Sequence, residues 1–159
     1  AATEILVWAP DRNGLFADLC GALTANGANV AAAHLYEAGD GRVLDLFDVQ
    51  DAKGAPLGAD HAGALERTLK DLRAAALGGE GVRRPGKAPA PTRRLSAFIV
   101  SPSVGIERSP TSRRTILEVS GRDRPGVLYE IARVLTEAGL SIRSAHVGSY
   151  GERVHDVFY

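Results

Sequence analysis

Two stretches decide how this chain reads: Asp11-Arg12-Asn13-Gly14-Leu15-Phe16 and Asp123-Arg124-Pro125-Gly126-Val127-Leu128. In each, turn-forming residues hand over to apolar residues at helical spacing. The first continues through Leu19, Cys20 and Leu23, the second through Ile131, Leu135 and Ala138. Upstream lie short apolar runs, Ile5-Leu6-Val7-Trp8 and Ile116-Leu117-Glu118-Val119, that suit strands with a buried face. Downstream, Gly27 and Gly139 stop the helices, since glycine accepts the left-handed conformation at low cost. Residues 29–36 and 42–49 then read as strands joined through Asp40-Gly41, a strong hairpin signal. The second copy offers strands over 141–147 and 153–159, with a turn around Ser149-Tyr150-Gly151.

The two stretches belong to a longer internal repeat, in which Thr3 to Phe47 aligns with Thr115 to Phe158. Leu23-Thr24 matches Leu135-Thr136, and Ala33-His34 matches Ala145-His146. Arg42-Val43, Asp45 and Phe47 match Arg153-Val154, Asp156 and Phe158. After its hairpin the first copy carries Leu65, Leu69, Leu72 and Ala76, which predict a one-sided helix over 60–77 with Asp60 as N-cap. Residues 78–94 read as a flexible loop rich in Gly, Pro, Arg and Lys, and 95–101 as a further strand. The fold class is therefore α+β, with tandem ferredoxin-like βαββαβ modules whose antiparallel sheets carry helices on one face. Residues 1–107 form the first module, and residues 108–159 form the second, truncated after its third strand. The alternative assigns 95–101 to the second unit.

Composition narrows the function. The chain has 159 residues, 24% charged and 45% hydrophobic, as in ordinary globular domains. Nineteen basic residues balance nineteen acidic ones, so the broad positive field of a nucleic-acid or membrane-surface binder is missing. No apolar run approaches the roughly 18–20 residues of a membrane span. A single cysteine, Cys20, excludes an internal disulfide and fits a reducing compartment. No stretch reads as a signal peptide. The absence of methionine and the strand-like end at Tyr159 point to a piece of a longer protein. Walker A, G-x-S-x-G and H-E-x-x-H motifs are all missing.

A strand, a turn of the form Asp-Arg-Pro-Gly, a glycine-ended helix and a hairpin, present twice, resemble the ACT domain, an amino-acid-sensing module of metabolic regulators. In detail, Thr-Glu-Ile-Leu-Val-Trp-Ala-Pro-Asp-Arg-Asn-Gly-Leu-Phe at 3–16 and Gly-Glu-Arg-Val-His-Asp-Val-Phe-Tyr at 151–159 are similar to the C-terminal tandem of one enzyme family. These are the bifunctional uridylyltransferase/uridylyl-removing enzymes that act on the PII nitrogen-signalling protein. The resemblance implies glutamine sensing in a cytoplasmic regulatory segment without catalytic residues. It implies partners in upstream catalytic domains and, through them, PII. A homo-oligomer is expected, and neither nucleic acid nor membrane is. No cofactor is expected in the segment itself, although the parent family uses a divalent metal such as magnesium. Asn13 departs from the family's proline. Three alternatives stand beside this reading: an ACT pair from another amino-acid-controlled protein, a dimerisation module that binds no ligand, and a small ferredoxin-like hydrolase.

The resemblance implies ligand contacts from Asp11, Arg12, Asn13, Gly14, Leu15 and Phe16, from Asp123, Arg124, Pro125, Gly126, Val127 and Leu128, and from His34 and His146. Physical chemistry supports the turns: a helix start offers N–H groups and partial positive charge to a carboxylate. Asp11 and Asp123 are candidates to meet an ammonium group, and equally to cap their helices. The paired histidines read as groove-lining or as plain structural residues, with no ligand set around them for zinc. Asp45 and Asp156 are expected on an exposed or hydrogen-bonded sheet face. Cys20 belongs to the apolar helix stripe, as core. Arg83-Arg84-Pro85-Gly86-Lys87 reads as a solvated run or a phosphate contact.

Overall fold

The computed structural model describes residues 1–78, 85–86 and 100–159. Strand β1 (Thr3–Pro10) leads through the first turn into helix α1 (Leu15–Ala25). Strands β2 (Asn29–Glu37) and β3 (Arg42–Gln50) form the first hairpin, and helix α2 (Ala62–Ala76) follows. Strand β4 (Ser103–Arg108) precedes the second copy: β5 (Thr115–Arg122), α3 (Val127–Glu137), β6 (Ala145–Tyr150) and β7 (Arg153–Phe158).

The seven strands of the described residues join one antiparallel sheet in the order β1-β3-β2-β6-β7-β5-β4. Alternation fixes its two faces. Ile5, Val7, Ala9, Val43, Phe47 and Val49 point to the helices and are buried, whereas Leu6, Trp8 and Tyr36 lie exposed on the other face. Phe47 stacks on Phe16 of α1, with ring centroids 5.9 Å apart. Helix α2 packs on α1 and β1, sealing the first unit with Thr68, Leu72 and Ala75.

Three details, the starts of α2 and β6 and an added strand, differ from the sequence expectation, and two expected segments fall mostly outside the described residues. Helix α2 starts at Ala62 with His61 as its N-cap and no side-chain cap bond, so Asp60 stands one residue too early to cap it. Strand β6 begins at Ala145, four residues later than expected, because Arg143 and Ser144 instead bond their backbone N–H groups to the Tyr159 carbonyl. Of the expected strand over 95–101, residues 95–99 lie outside the described residues and residues 100–101 are not strand. The loop 78–94 is likewise outside them apart from Gly78, Pro85 and Gly86. A strand that the sequence pattern does not announce, β4, hydrogen-bonds to β5 and occupies the edge beside it. Val104 and Ile106 alternate with small or charged residues, but the run is short and every residue of β4 is exposed.

The second unit has no described counterpart of α2. There, Leu117, Leu135 and Phe158 border a cavity of about 490 Å³ on the helix face of the sheet.

Candidate functional site

The two units meet across an approximate two-fold axis. Strand β2 pairs with β6 through Ala32↔Gly148, Ala33↔Val147 and His34↔His146, so repeat-equivalent histidines face each other. On the helix face, α1 packs against α3. Each turn glycine sits beneath a threonine of the opposite helix. A Cβ on Gly14 would lie 3.3 Å from Thr136 Cγ2, and one on Gly126 would lie 3.1 Å from Thr24 Cγ2.

This crossing makes two equivalent clefts. The first is lined by Asp11, Arg12, Asn13, Gly14, Leu15 and Phe16 of the turn, by Asp45 of β3, and by Thr136 and 140–143 of the other unit. The second is lined by Asp123, Arg124, Gly126, Val127 and Leu128, by Asp156 of β7, and by Cys20, Thr24 and 28–30 of the first unit. Neither turn meets a cleft with its own unit alone. Their volumes are about 40 and 20 Å³, room for one or two water-sized groups. A whole amino acid would have to place one head group here and extend outwards.

The turns are set by glycine. Gly14 has φ 81° and Gly126 has φ 82°, each as the N-cap of its helix. The N-cap positions are held by Gly14 and Gly126, three residues after Asp11 and Asp123, and neither helix has a side-chain cap bond. The backbone N–H groups of Asp11 and Asp123 bond to Gly41 and Glu152 of the hairpin turns, at 2.9 Å each. A left-handed non-glycine residue costs roughly 1–2 kcal/mol, so Gly14→Ala and Gly126→Ala should each lower stability by about that amount. The threonine above must also shift. Urea denaturation checks this, and an unchanged midpoint would contradict it.

Asp45 and Asp156 reverse their expected placement. They are 1% and 0% exposed on the helix side of the sheet. The reason is register: Val43, Asp45, Phe47 and Val49 alternate inward together, and the partners in β7 do the same. Among the described residues, Asp45 Oδ1 and both Asp156 carboxylate oxygens have no hydrogen-bond partner. Burial pushes Asp45 up from 3.8 to about 7, with Asp11 adding to the rise. Burial likewise raises Asp156 to about 6. The Gly148 backbone N–H pulls back and Asp123 pushes up again. That N–H approaches without completing a hydrogen bond of standard geometry. The sequence signal for these residues is an aspartate in phase with three apolar inward positions.

The turn arginines are tied down. Arg12 Nη2 donates to Asp18 Oδ2 and to the Ala75 carbonyl, both at 2.7 Å, which ties the first turn to the end of α2. Arg124 pairs with Glu130, the repeat equivalent of Asp18, through both terminal nitrogens. This hydrogen bonding raises Arg124 and lowers Glu130 from their ordinary pKa values. Pro125 does not line the second cleft. His34 and His146 line neither cleft. Their Nδ1 atoms stand 3.0 Å apart on the open face of the sheet, so one ring donates and the other accepts. Cys20 is buried as expected, and burial pushes its thiol well above the usual value, with Asp45 and Asp156 adding to the rise. Among the described residues no group of three or more His, Cys, Asp or Glu is placed to hold a metal ion, and no helix is long and apolar enough to cross a membrane.

Comparison with known proteins identifies the family. The ACT domain family model matches residues 3–74 and 115–159. The bifunctional uridylyltransferase/uridylyl-removing enzyme of Phenylobacterium zucineum is 46% identical over 158 residues. That of Caulobacter vibrioides (strain NA1000) is 43% identical over 158 residues, and that of Azospirillum brasilense 40% over 162. These alignments cover 99%, 99% and 100% of this chain but only 17% of each relative. Among solved structures, aspartate kinase from Synechocystis superposes with a TM-score of 0.47 at 16% identity, covering 98% of this chain and 23% of that one.

Proposed function

Because the chain belongs to the ACT domain family, we propose that it is the amino-acid-sensing segment of a bifunctional uridylyltransferase/uridylyl-removing enzyme, with glutamine as its ligand. The observation that carries the reading is the pair of clefts, each made by the turn of one unit and closed by the other. A ligand seated there touches both units, so it binds one mutual arrangement better than another. That differential affinity is what any allosteric ligand requires. Asp11 and Asp123 meet the ammonium end of the ligand. The helix starts behind Gly14 and Gly126 attract its carboxylate. Asn13, which has no counterpart lining the second cleft, supplies an amide to a ligand amide in the first.

In this reading the segment is cytoplasmic, and it holds no catalytic group or cofactor of its own. Upstream catalytic domains, which use a divalent metal such as magnesium, modify and demodify the PII protein. Glutamine in the clefts biases those opposed activities. The cavity beside Phe158 supports association into a homo-oligomer, since open apolar surface of this kind is usually covered.

Thermal shift against the twenty amino acids tests the proposal. A metabolite sensor works near cellular ligand levels, so glutamine should bind at about 0.1–1 mM. At ten times the dissociation constant it should stabilise the chain by about 1.4 kcal/mol, a rise in melting temperature of about 2–6 °C. Asp11→Ala and Asp123→Ala should each reduce the rise. No shift with glutamine at tens of millimolar, alongside a clear shift with another amino acid, would move the chain to a different ACT regulator. No shift with any would leave the dimerisation module.

A further inference from the structure

We propose that Asp45 and Asp156 are the ammonium receptors of the two clefts, each acting with the turn carboxylate beside it, Asp11 or Asp123, to hold the primary ammonium of a bound amine or amino acid. The inference deepens the sensing reading and rests on it for the ligand class.

Three independent observations carry it. First, both carboxylates line a cleft, and both are within 1% of complete burial. Buried polar groups are nearly always hydrogen-bonded, so an orphaned one calls for an explanation. Here three of four carboxylate oxygens have no partner among the described residues. Secondly, the arginines that line the clefts have terminal nitrogens paired elsewhere, and the buried Nε of Arg12, itself without a partner among the described residues, makes no bond to Asp45. Arg12 is paired with Asp18, Arg124 with Glu130, and Arg143 with Glu37. In the first cleft Asp45 therefore faces Asp11, and in the second Asp156 faces Asp123, anion towards anion. His155, the neighbour of Asp156, is bonded through Nδ1 to Ser120. Thirdly, the arrangement occurs twice, at repeat-equivalent positions, in clefts sized for a group as small as water. An ammonium matches water in size and brings to these carboxylates the donors and the positive charge that the arginines of the clefts, bonded to other acceptors, do not deliver.

The raised pKa values of the two strand carboxyls fit this role. An empty cleft keeps its strand carboxyl largely protonated below about pH 7 at Asp45 and about pH 6 at Asp156. An arriving ammonium favours the ionised form, so the carboxyl releases its proton to solvent as the ligand seats. Ligand affinity should then rise with pH through these two values, because less of the site has to deprotonate.

The test is carboxyl-carbon NMR of the 159-residue chain, titrated over pH with methylammonium and, at equal ionic strength, tetramethylammonium. Methylammonium should lower the titration midpoints of Asp45 and Asp156, and tetramethylammonium, which has no N–H, should not. Equal response to both salts, or to neither, overturns the assignment. In parallel, Asp45→Asn and Asp156→Asn should weaken glutamine binding by about tenfold or more, in keeping with loss of a charged hydrogen bond. Glutamine binding that survives intact in the double variant overturns the receptor role and leaves the sensing reading in place. A wild-type chain that answers methylammonium but no amino acid overturns the sensing reading alone.

Discussion

Asp45→Asn should make the ligand-free chain more stable at pH 8 by about 2–4 kcal/mol. The carboxyl has an ordinary pKa of 3.8 and one of about 7 in the folded chain. The folded state thus holds this proton more tightly than the unfolded state. Stability from this group is complete below pH 3.8 and falls away as the pH climbs through about 7. Each tenfold change in proton affinity is worth about 1.4 kcal/mol, so the buried charge costs about 4 kcal/mol above pH 7. The Asn amide removes the charge but adds donors that need partners, which offsets part of the gain. Asp156, with a folded value near 6, should follow the same sign with a smaller effect. Urea unfolding of wild type and variant at pH 5 and pH 8 checks both. A difference that does not grow with pH, or a variant less stable at pH 8, would remove the physical basis assigned to these residues.

Phe47→Ala should cost about 4 kcal/mol, a drop in melting temperature of about 8–16 °C for a chain of this size. Phe47 is fully buried and stacked on Phe16 of α1. Its repeat partner, Phe158, is 3% exposed but borders the cavity of the second unit, which is open among the described residues. Phe158→Ala should therefore cost markedly less, because the truncated side chain leaves less new void in a site that is already open. Hydrogen exchange can apportion the losses between the units. Equal costs for the two substitutions would mean that the second unit's core is as closed as the first.

The modules are legible in the sequence because their signals are local. Asp-Arg-x-Gly, the glycine helix stops and Asp40-Gly41 each act within a few residues, and duplication doubles most of them. The match between the Val43/Phe47 phase and the Val154/Phe158 phase marks the inward faces of both hairpins. Pairing β2 with β6 joins His34 and His146, 112 positions apart in sequence, and neither strand advertises its partner. The clefts depend on that pairing, so their second walls, Thr136 with 140–143 and Thr24 with 28–30, are out of sight in the sequence. Asp45 is easily misplaced if charge is weighed above phase, although period-two alternation holds through it. The histidines stand out as a pair, but the axis that brings them together on the open sheet face turns them away from the two clefts.

That axis runs through a single covalent chain. Two separate identical subunits meeting in this way would be compelled to present the same site twice, and any change in one would appear in the other. Joining the copies end to end lifts the constraint. Asn13 already stands where the second copy has Pro125, Ser141 where the first has Asn29, and Arg143 where the first has Ala31. Inheritance can therefore tune the two clefts apart, one substitution at a time, while the shared seam keeps them mechanically linked.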